Sequence, residues 1–158
     1  MTATHPQVQA YLQRHQLKPE RLRADGRLTL SLGDRARMQL QPLPGGELLF
    51  EGRVAPLPPA GRVRAERVDT LLRAGAARLA QHPQALAIDA AAEALVLQQR
   101  VDEDLSPVAF DQAVDDFMCA LVFWKHVVSP QADATRRPPP EGVSQFGSGP
   151  ALTQESGQ

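Results

Sequence analysis

The side chains that could perform chemistry are scattered along this 158-residue chain. Its four histidines are His5, His15, His82 and His126, and its one cysteine is Cys119. No histidine has a second ligand type at the spacing of a metal site, such as H-x-x-x-H with a glutamate. There is also no G-x-S-x-G nucleophile motif and no glycine-rich phosphate loop after a strand. The sequence therefore predicts no metal, no cofactor and no enzymatic activity.

Two acidic clusters, residues 102–104 and Asp115-Asp116, are the remaining candidates for acid–base chemistry. Adjacent residues of a helix point about 100° apart, so Asp115 and Asp116 do not face one another. We interpret the first cluster as the approach to a helix and the second as a solvated helix face. Cys119 lies among apolar residues, which predicts an unreactive core thiol.

Charge is distributed unevenly along the chain. Residues 1–78 carry 13 Arg/Lys against 7 Asp/Glu, whereas residues 79–128 carry 2 against 8. A basic half could bind nucleic acid, but the aromatic residues that interleave with basic ones in single-strand binders are missing. We interpret the uneven charge mainly as basic and acidic residues that lie on different solvated surfaces. Nucleic-acid binding remains a minor alternative.

The composition predicts one globular domain followed by a tail. Hydrophobic residues make up 42% of the chain, and residues 129–158 contain five prolines without any periodicity. We expect that tail to be disordered, because it cannot bury enough apolar surface to offset its ordering entropy. The N-terminus lacks the layout of a signal peptide, and no apolar run approaches the ~20 residues of a membrane span. The single cysteine agrees with a cytoplasmic protein.

The first half of the chain predicts a helix and three strands. Apolar residues at helical spacing indicate a helix over residues 6–17, with Thr4 as its cap and Pro6 in its first turn. The segments RLTLSLG, RMQLQP and ELLFEGRV alternate apolar and polar residues, which is the period of a half-buried strand. Turn residues separate the three segments, so we expect an antiparallel meander.

The second half predicts a helix, a hairpin and a final helix. Apolar residues at helical spacing predict a helix over residues 64–83. The side chains in its middle, RAGAA, are small enough to let another backbone approach closely, either within the fold or across a subunit boundary. QALAIDA and EALVLQQRV indicate a hairpin, and Ser106-Pro107 begins a helix that continues to Val128. The order predicts an α+β domain over residues 1–128, with an antiparallel twisted sheet and three helices.

The last helix, DDFMCALVFWKHVV, is apolar on nearly every side from Phe117 to Trp124. We expect Phe117, Leu121 and Trp124 to pack on the sheet. Met118, Val122 and Phe123 would then be covered by the second helix, by a partner subunit or by a bound protein. Surplus apolar surface on a small domain indicates a partner interface.

This order of elements resembles the class I type III secretion chaperones, the Tir chaperone or CesT-like family, over about residues 5–128. The resemblance rests on Ile88-Asp89, the L-x-L strand Leu95-Val96-Leu97, the acidic linker from Asp102 to Leu105, and the aromatic residues Phe117 and Phe123-Trp124. The chain departs from the family in having Ala90-Ala91-Ala92 at the last hairpin turn, where family members usually have a glycine.

The resemblance implies a bacterial cytoplasmic homodimer without enzymatic activity. Such a chaperone binds the N-terminal region of secreted effector proteins in extended form and keeps them competent for type III secretion. It implies secreted effectors as partners and the secretion ATPase as a further candidate. A chaperone that serves many effectors, as some plant pathogens possess, would fit this pattern.

The resemblance also implies site residues. The client-binding set is Val8, Tyr11, Leu12, Leu28, Leu30, Met38, Leu40 and Phe50, and the dimer-interface set is Leu71, Leu72, Gly75, Ala76, Leu95 and Leu97. Ordinary core packing is the alternative for each leucine. A regulatory adaptor of the same fold, which binds another soluble protein instead of exported cargo, remains the alternative function.

Overall fold

Three helices and five strands make up the part of the chain that the computed structural model describes, residues 4–18, 21–91 and 93–129. The helices are α1 (Pro6–Arg14), α2 (Arg62–Arg78) and α3 (Pro107–Val128). The strands are β1 (Leu28–Leu32), β2 (Ala36–Pro42), β3 (Leu48–Pro56), β4 (Ala85–Ile88) and β5 (Ala94–Val101). The order α-β-β-β-α-β-β-α confirms the predicted α+β class. The tail predicted to be disordered lies outside the described residues, apart from Ser129.

The strands form one antiparallel sheet in the order β1-β2-β3-β5-β4. The predicted meander is present, and the second hairpin joins it because β5 pairs with β3. The two edges of the sheet are therefore β1 and β4. A register shift between Arg53 and Ala55 marks a bulge in β3, where the strand bends away from its regular pairing.

The core lies between one face of the sheet and α3. Six α3 residues at helical spacing are buried: Phe110, Val114, Phe117, Leu121, Trp124 and Val128. They confirm the prediction that Phe117, Leu121 and Trp124 pack on the sheet. Ser106 starts the helix as predicted, because its hydroxyl accepts a hydrogen bond from the Ala109 N–H at 3.2 Å.

The N-terminal cap of α1 is His5, and the prediction of Thr4 was wrong. His5 Nδ1 accepts a hydrogen bond from the Gln7 N–H at 3.2 Å, and the ring is buried. The helix also ends earlier than predicted, at Arg14. Gln16 adopts a left-handed φ of 51°, and the Leu17 N–H then donates to the Leu12 carbonyl at 2.9 Å. This reversal ends the helix and folds Leu17 back toward the core.

The turn between β4 and β5 is closed by Asp89. Its Oδ1 accepts hydrogen bonds from the N–H groups of Glu93 at 2.8 Å and Ala94 at 3.1 Å. These bonds lower the pKa of the Asp89 carboxyl, because they stabilise its charged form. A side chain thus organises a hairpin turn that has alanines where glycine was expected.

Candidate functional site

The eight residues of the predicted client-binding set come together in one cluster, but that cluster is the core of the subunit. Each is buried, with 0 to 9% of its surface exposed: Val8, Tyr11, Leu12, Leu28, Leu30, Met38, Leu40 and Phe50. Packing against α3 accounts for these side chains without a bound protein. Their contact with a client stays a prediction, and a client would reach this region through the more exposed neighbours.

Aromatic contacts fix the centre of that cluster. The ring of Phe50 meets Phe110 and Phe117 edge to face, with 5.8 Å between centroids in both pairs. Tyr11 of α1 meets Phe110 in the same way at 5.7 Å. Edge-to-face pairs add stabilisation beyond buried area. The sheet, α3 and α1 therefore form a rigid base for the surface beside them.

An apolar groove of about 490 Å³ lies beside the edge strand β1 and is here called the edge groove. It is lined by Tyr11, Leu17, Arg21, Leu30, Ser31, Leu32, Val114, Asp115, Met118 and Cys119. Leu32 is 48% exposed, although it continues the alternation of Leu28 and Leu30. The floor is apolar, and the rim carries the opposite charges of Arg21 and Asp115. The groove can therefore hold apolar side chains of a segment that lies along β1.

The predicted client-binding set left out three residues that line the edge groove, Leu17, Leu32 and Met118. The position of Leu32 could have been predicted from the alternation of β1. The positions of Leu17 and Met118 could not, because they depend on how α1 ends and on which side of α3 faces β1. Met118 was expected to be covered by α2, by a partner subunit or by a bound protein. The structure places it in the edge groove, on the β1 side of α3.

Cys119 is exposed, so the prediction of a core thiol was wrong. The residues of α3 that face the sheet follow the stripe of Phe117, Leu121 and Trp124, and Cys119 lies off that stripe. The error arose because this part of α3 is apolar all round, and the sequence then gives no polar face by which to orient the helix.

The predicted interface set divides into core and surface. Leu95 and Leu97 are buried, Leu71 and Leu72 are half-buried, and Ala76 is exposed. No partner chain is present, so their role in a dimer stays a prediction.

Gly75 is buried against β4. A Cβ on this glycine would lie 3.1 Å from Leu86 Cδ1. Packing against β4 within one subunit therefore explains why this residue is a glycine, without any contact to a partner subunit.

Arg78 at the end of α2 covers the aromatic residues of α3. Its guanidinium carbon lies 4.4 Å from the centroid of Phe123 and 6.0 Å from that of Trp124. Such a cation stacked on aromatic rings is attracted by their electron-rich faces. Phe123 is still 41% exposed. The end of α2 thus shields only part of the apolar surface of α3.

Charged groups tie α1 to α3 next to the edge groove. Arg14 Nη2 donates to Asp111 Oδ1 at 2.5 Å, and His15 Nε2 lies 3.0 Å from Asp111 Oδ2. The hydrogen bond from Arg14 is the main cause that lowers the pKa of Asp111. Burial, followed by the carboxylates of Asp111 and Asp115, raises the pKa of the Tyr11 phenol. These groups hold α1 in place and form no arrangement of nucleophile and base.

Within residues 4–18, 21–91 and 93–129 there is no group of three or more His, Cys, Asp or Glu residues that could hold a metal ion. Over the same ranges, none of the helices combines the length and hydropathy needed to cross a membrane.

Comparison with known proteins identifies a family with this fold. The model of the Tir chaperone protein (CesT) family matches residues 8–125. A search of curated protein sequences finds no match.

Three solved structures illustrate the similarity. A chain of the ExsC–ExsE complex is 14% identical, with a TM-score of 0.62 over 80% of this chain and 93% of that one. A chain of the HopA1–SchA chaperone–effector complex is 15% identical, with a TM-score of 0.59 over 74% and 88%. A chain of the heterodimeric ExoU–SpcU complex from the type III secretion system of Pseudomonas aeruginosa is 19% identical, with a TM-score of 0.58 over 78% and 98%. At these identities the likeness shows a shared fold.

Proposed function

The chain belongs to the Tir chaperone protein (CesT) family, and from this premise we propose that it binds the N-terminal region of a secreted effector in extended form and keeps it competent for type III secretion. The effector contributes a strand along the free edge of β1 and places apolar side chains in the edge groove. The chain acts as a binding protein and has no catalytic activity.

The observation that carries this proposal is the edge position of β1 beside an apolar groove. The sheet order places β1 at the edge, with β2 on one side and only an isolated bridge between Leu22 and Leu28 at the start of its other side. The backbone of β1 beyond Leu28 can therefore bond an added strand. Main-chain hydrogen bonds of this kind tolerate many sequences, while pockets for alternate side chains select among them. Leu32, Leu17 and Met118 provide such a pocket.

The similar structures support the same function. The three described above are complexes, and one of them is named a chaperone–effector complex. Ordering an extended segment on binding costs free energy, so the bound segment needs a large contact area. The apolar edge groove and the exposed part of Phe123 would provide part of that area.

We further propose that the protein is a cytoplasmic homodimer. Two-fold contact through α2, with Leu71, Leu72 and Ala76 on its surface, would cover apolar area that one subunit leaves half exposed. Leu95 and Leu97 would then support the interface from within the subunit. The secretion ATPase would be a further partner, one that accepts the chaperone with its effector.

Capture and co-expression test the function. Effectors captured from the native bacterium by the tagged protein would be co-expressed as N-terminal segments with the chaperone. We expect a soluble complex in which the segment is protected from protease but has no independent fold by circular dichroism. An effector segment that remains globular when bound would contradict the proposal.

Leu32→Asp tests the location of the site. It places a charge at the mouth of the edge groove, and we expect it to abolish co-purification because the charge would be buried without a partner. The matched control is Val108→Asp, which changes another exposed apolar residue, 80% exposed at the start of α3. Equal loss in both variants, or no loss in Leu32→Asp, would rule out the edge groove.

A further inference from the structure

A second cleft lies where β2 begins and β3 has its bulge, and it is here called the basic cleft. Three cations line it: Arg37 of β2, Arg53 of β3 and Lys125 of α3. The register pairs Met38 with Gly52, so Arg37 and Arg53 are the next residues of their two antiparallel strands, at the same level. Both point away from the face that Met38 and Gly52 share, because side chains alternate along a strand.

Like charges at neighbouring positions of two strands destabilise a sheet. Even so, Arg37, Arg53 and Lys125 make no hydrogen bond or ion pair with any other residue that the structure describes. The two carboxylates of the basic cleft are already engaged. Asp89 accepts hydrogen bonds from the backbone of its turn, and Glu51 Oε2 accepts one from Gln98 Nε2 at 2.6 Å. The charge of Arg53 acts on Asp89 as a weaker cause of its lowered pKa, after the two backbone hydrogen bonds.

The floor of the basic cleft is apolar and has free strand backbone. It includes Val54, Ala55, Pro56 and Val96. The pairing of β2 with β3 ends at Gly52, whereas β3 continues to Pro56 and is paired there with β5 alone. The last residues of β3 thus present an edge of their own. Val54 and Val96 are buried, whereas Ala55 is half-buried and Pro56 is exposed. An extended segment would therefore contact this floor through Ala55 and Pro56.

We propose that the basic cleft binds an extended acidic peptide segment of another protein. Carboxylates of the segment pair with Arg37, Arg53 and Lys125, and its apolar side chains contact Ala55 and Pro56. This surface is separate from the edge groove at β1, so one subunit carries two sites that select different sequences. The basic cleft prefers acidic segments, whereas the edge groove prefers apolar ones.

Nucleic acid is less suited to the basic cleft. No aromatic side chain is among the residues that line it, so bases would have no stacking platform. An acidic peptide needs no stacking platform, because its carboxylates pair with the cations and its extended backbone can lie along the end of β3.

Fluorescence anisotropy with labelled peptides tests the proposal on the full chain. The probes are a short peptide of alternating Glu and Val, the same peptide with Gln for Glu, and a single-stranded DNA oligonucleotide. We expect the acidic peptide to bind roughly ten-fold more tightly than its Gln counterpart at low salt, since each exposed ion pair contributes little. High salt should remove most of this difference.

Arg37→Gln with Arg53→Gln should remove the preference for the acidic peptide. Melting temperature should stay the same or rise, because the two like charges are gone. The control is Arg73→Gln, which removes an exposed arginine of α2 that pairs with Asp69 and should leave binding unchanged. Leu32→Asp should also bind the acidic peptide normally, which separates this site from the effector site.

Four results would overturn the proposal. They are equal binding of the acidic and Gln peptides, tighter binding of the DNA, equal loss in Arg73→Gln, and a changed molar mass of the Arg37→Gln, Arg53→Gln variant in light scattering. The last would show that the basic cleft is a contact between two copies of this chain.

Discussion

Gly52 in the middle of β3 lies directly against Leu121 of α3. A Cβ on this glycine would be 2.5 Å from Leu121 Cδ2 and 2.9 Å from Cδ1. Glycine usually weakens a strand, because it costs entropy and packs no side chain. Here its missing side chain lets Leu121 of α3 approach the sheet closely.

Gly52→Ala should destabilise the protein by about 1–3 kcal/mol, because the added methyl group overpacks the contact with Leu121. Urea unfolding at fixed protein concentration measures this loss. In the double variant with Leu121→Ala, the methyl group should fill part of the cavity, so the combined loss should be smaller than the sum of the two single losses. Strict additivity would contradict the close approach.

His5→Ala should destabilise the protein by about 2 kcal/mol. The ring caps α1 through Nδ1, and Nε2 lies 2.6 Å from the Gly46 carbonyl in the β2–β3 turn. A lost cap costs about 1 kcal/mol, and a lost internal hydrogen bond costs a similar amount. His5→Ser keeps a cap but not the reach to Gly46, so it should recover about half of the loss in urea unfolding. Equal losses in both variants would show that the cap contributes nothing.

The order of elements could be predicted from the sequence, but the role of the buried leucines could not. Alternation in β1 shows that Leu28 and Leu30 share a buried face, yet it does not tell whether the subunit's own α3 or a bound effector covers that face. The same limit applied to Cys119, on a helix segment that is apolar all round. Gly52 and His5 were missed because close approach and a cap linked to Gly46 depend on residues distant in sequence.

Asp111 should make stability depend on acid pH. Its pKa is lowered by the hydrogen bond from Arg14, so its contribution is present above the unfolded pKa of about 3.9 and is lost as pH falls through the lower folded value. Both partners are 30% exposed, so we expect only about 0.5 kcal/mol.

Asp111→Asn should therefore be less stable than the unmodified chain at neutral pH, and the two should converge below about pH 4. Thermal unfolding across this range measures the difference. Asp69→Asn serves as the control, because its pair with Arg73 is more exposed. A difference that stays constant down to about two pH units below the usual carboxyl pKa would contradict this role.

Leu72→Asp should dissociate the proposed dimer. Leu72 is half-buried on α2, and a charge there would enter an apolar contact without a partner. Light scattering at micromolar concentration should show a monomer, while circular dichroism should show retained secondary structure. Ala74→Asp is the matched control, since residues two apart on a helix lie about 200° apart and Ala74 is exposed. A dimer that persists in Leu72→Asp would place the interface elsewhere, and a monomer in the unmodified chain would remove the homodimer altogether.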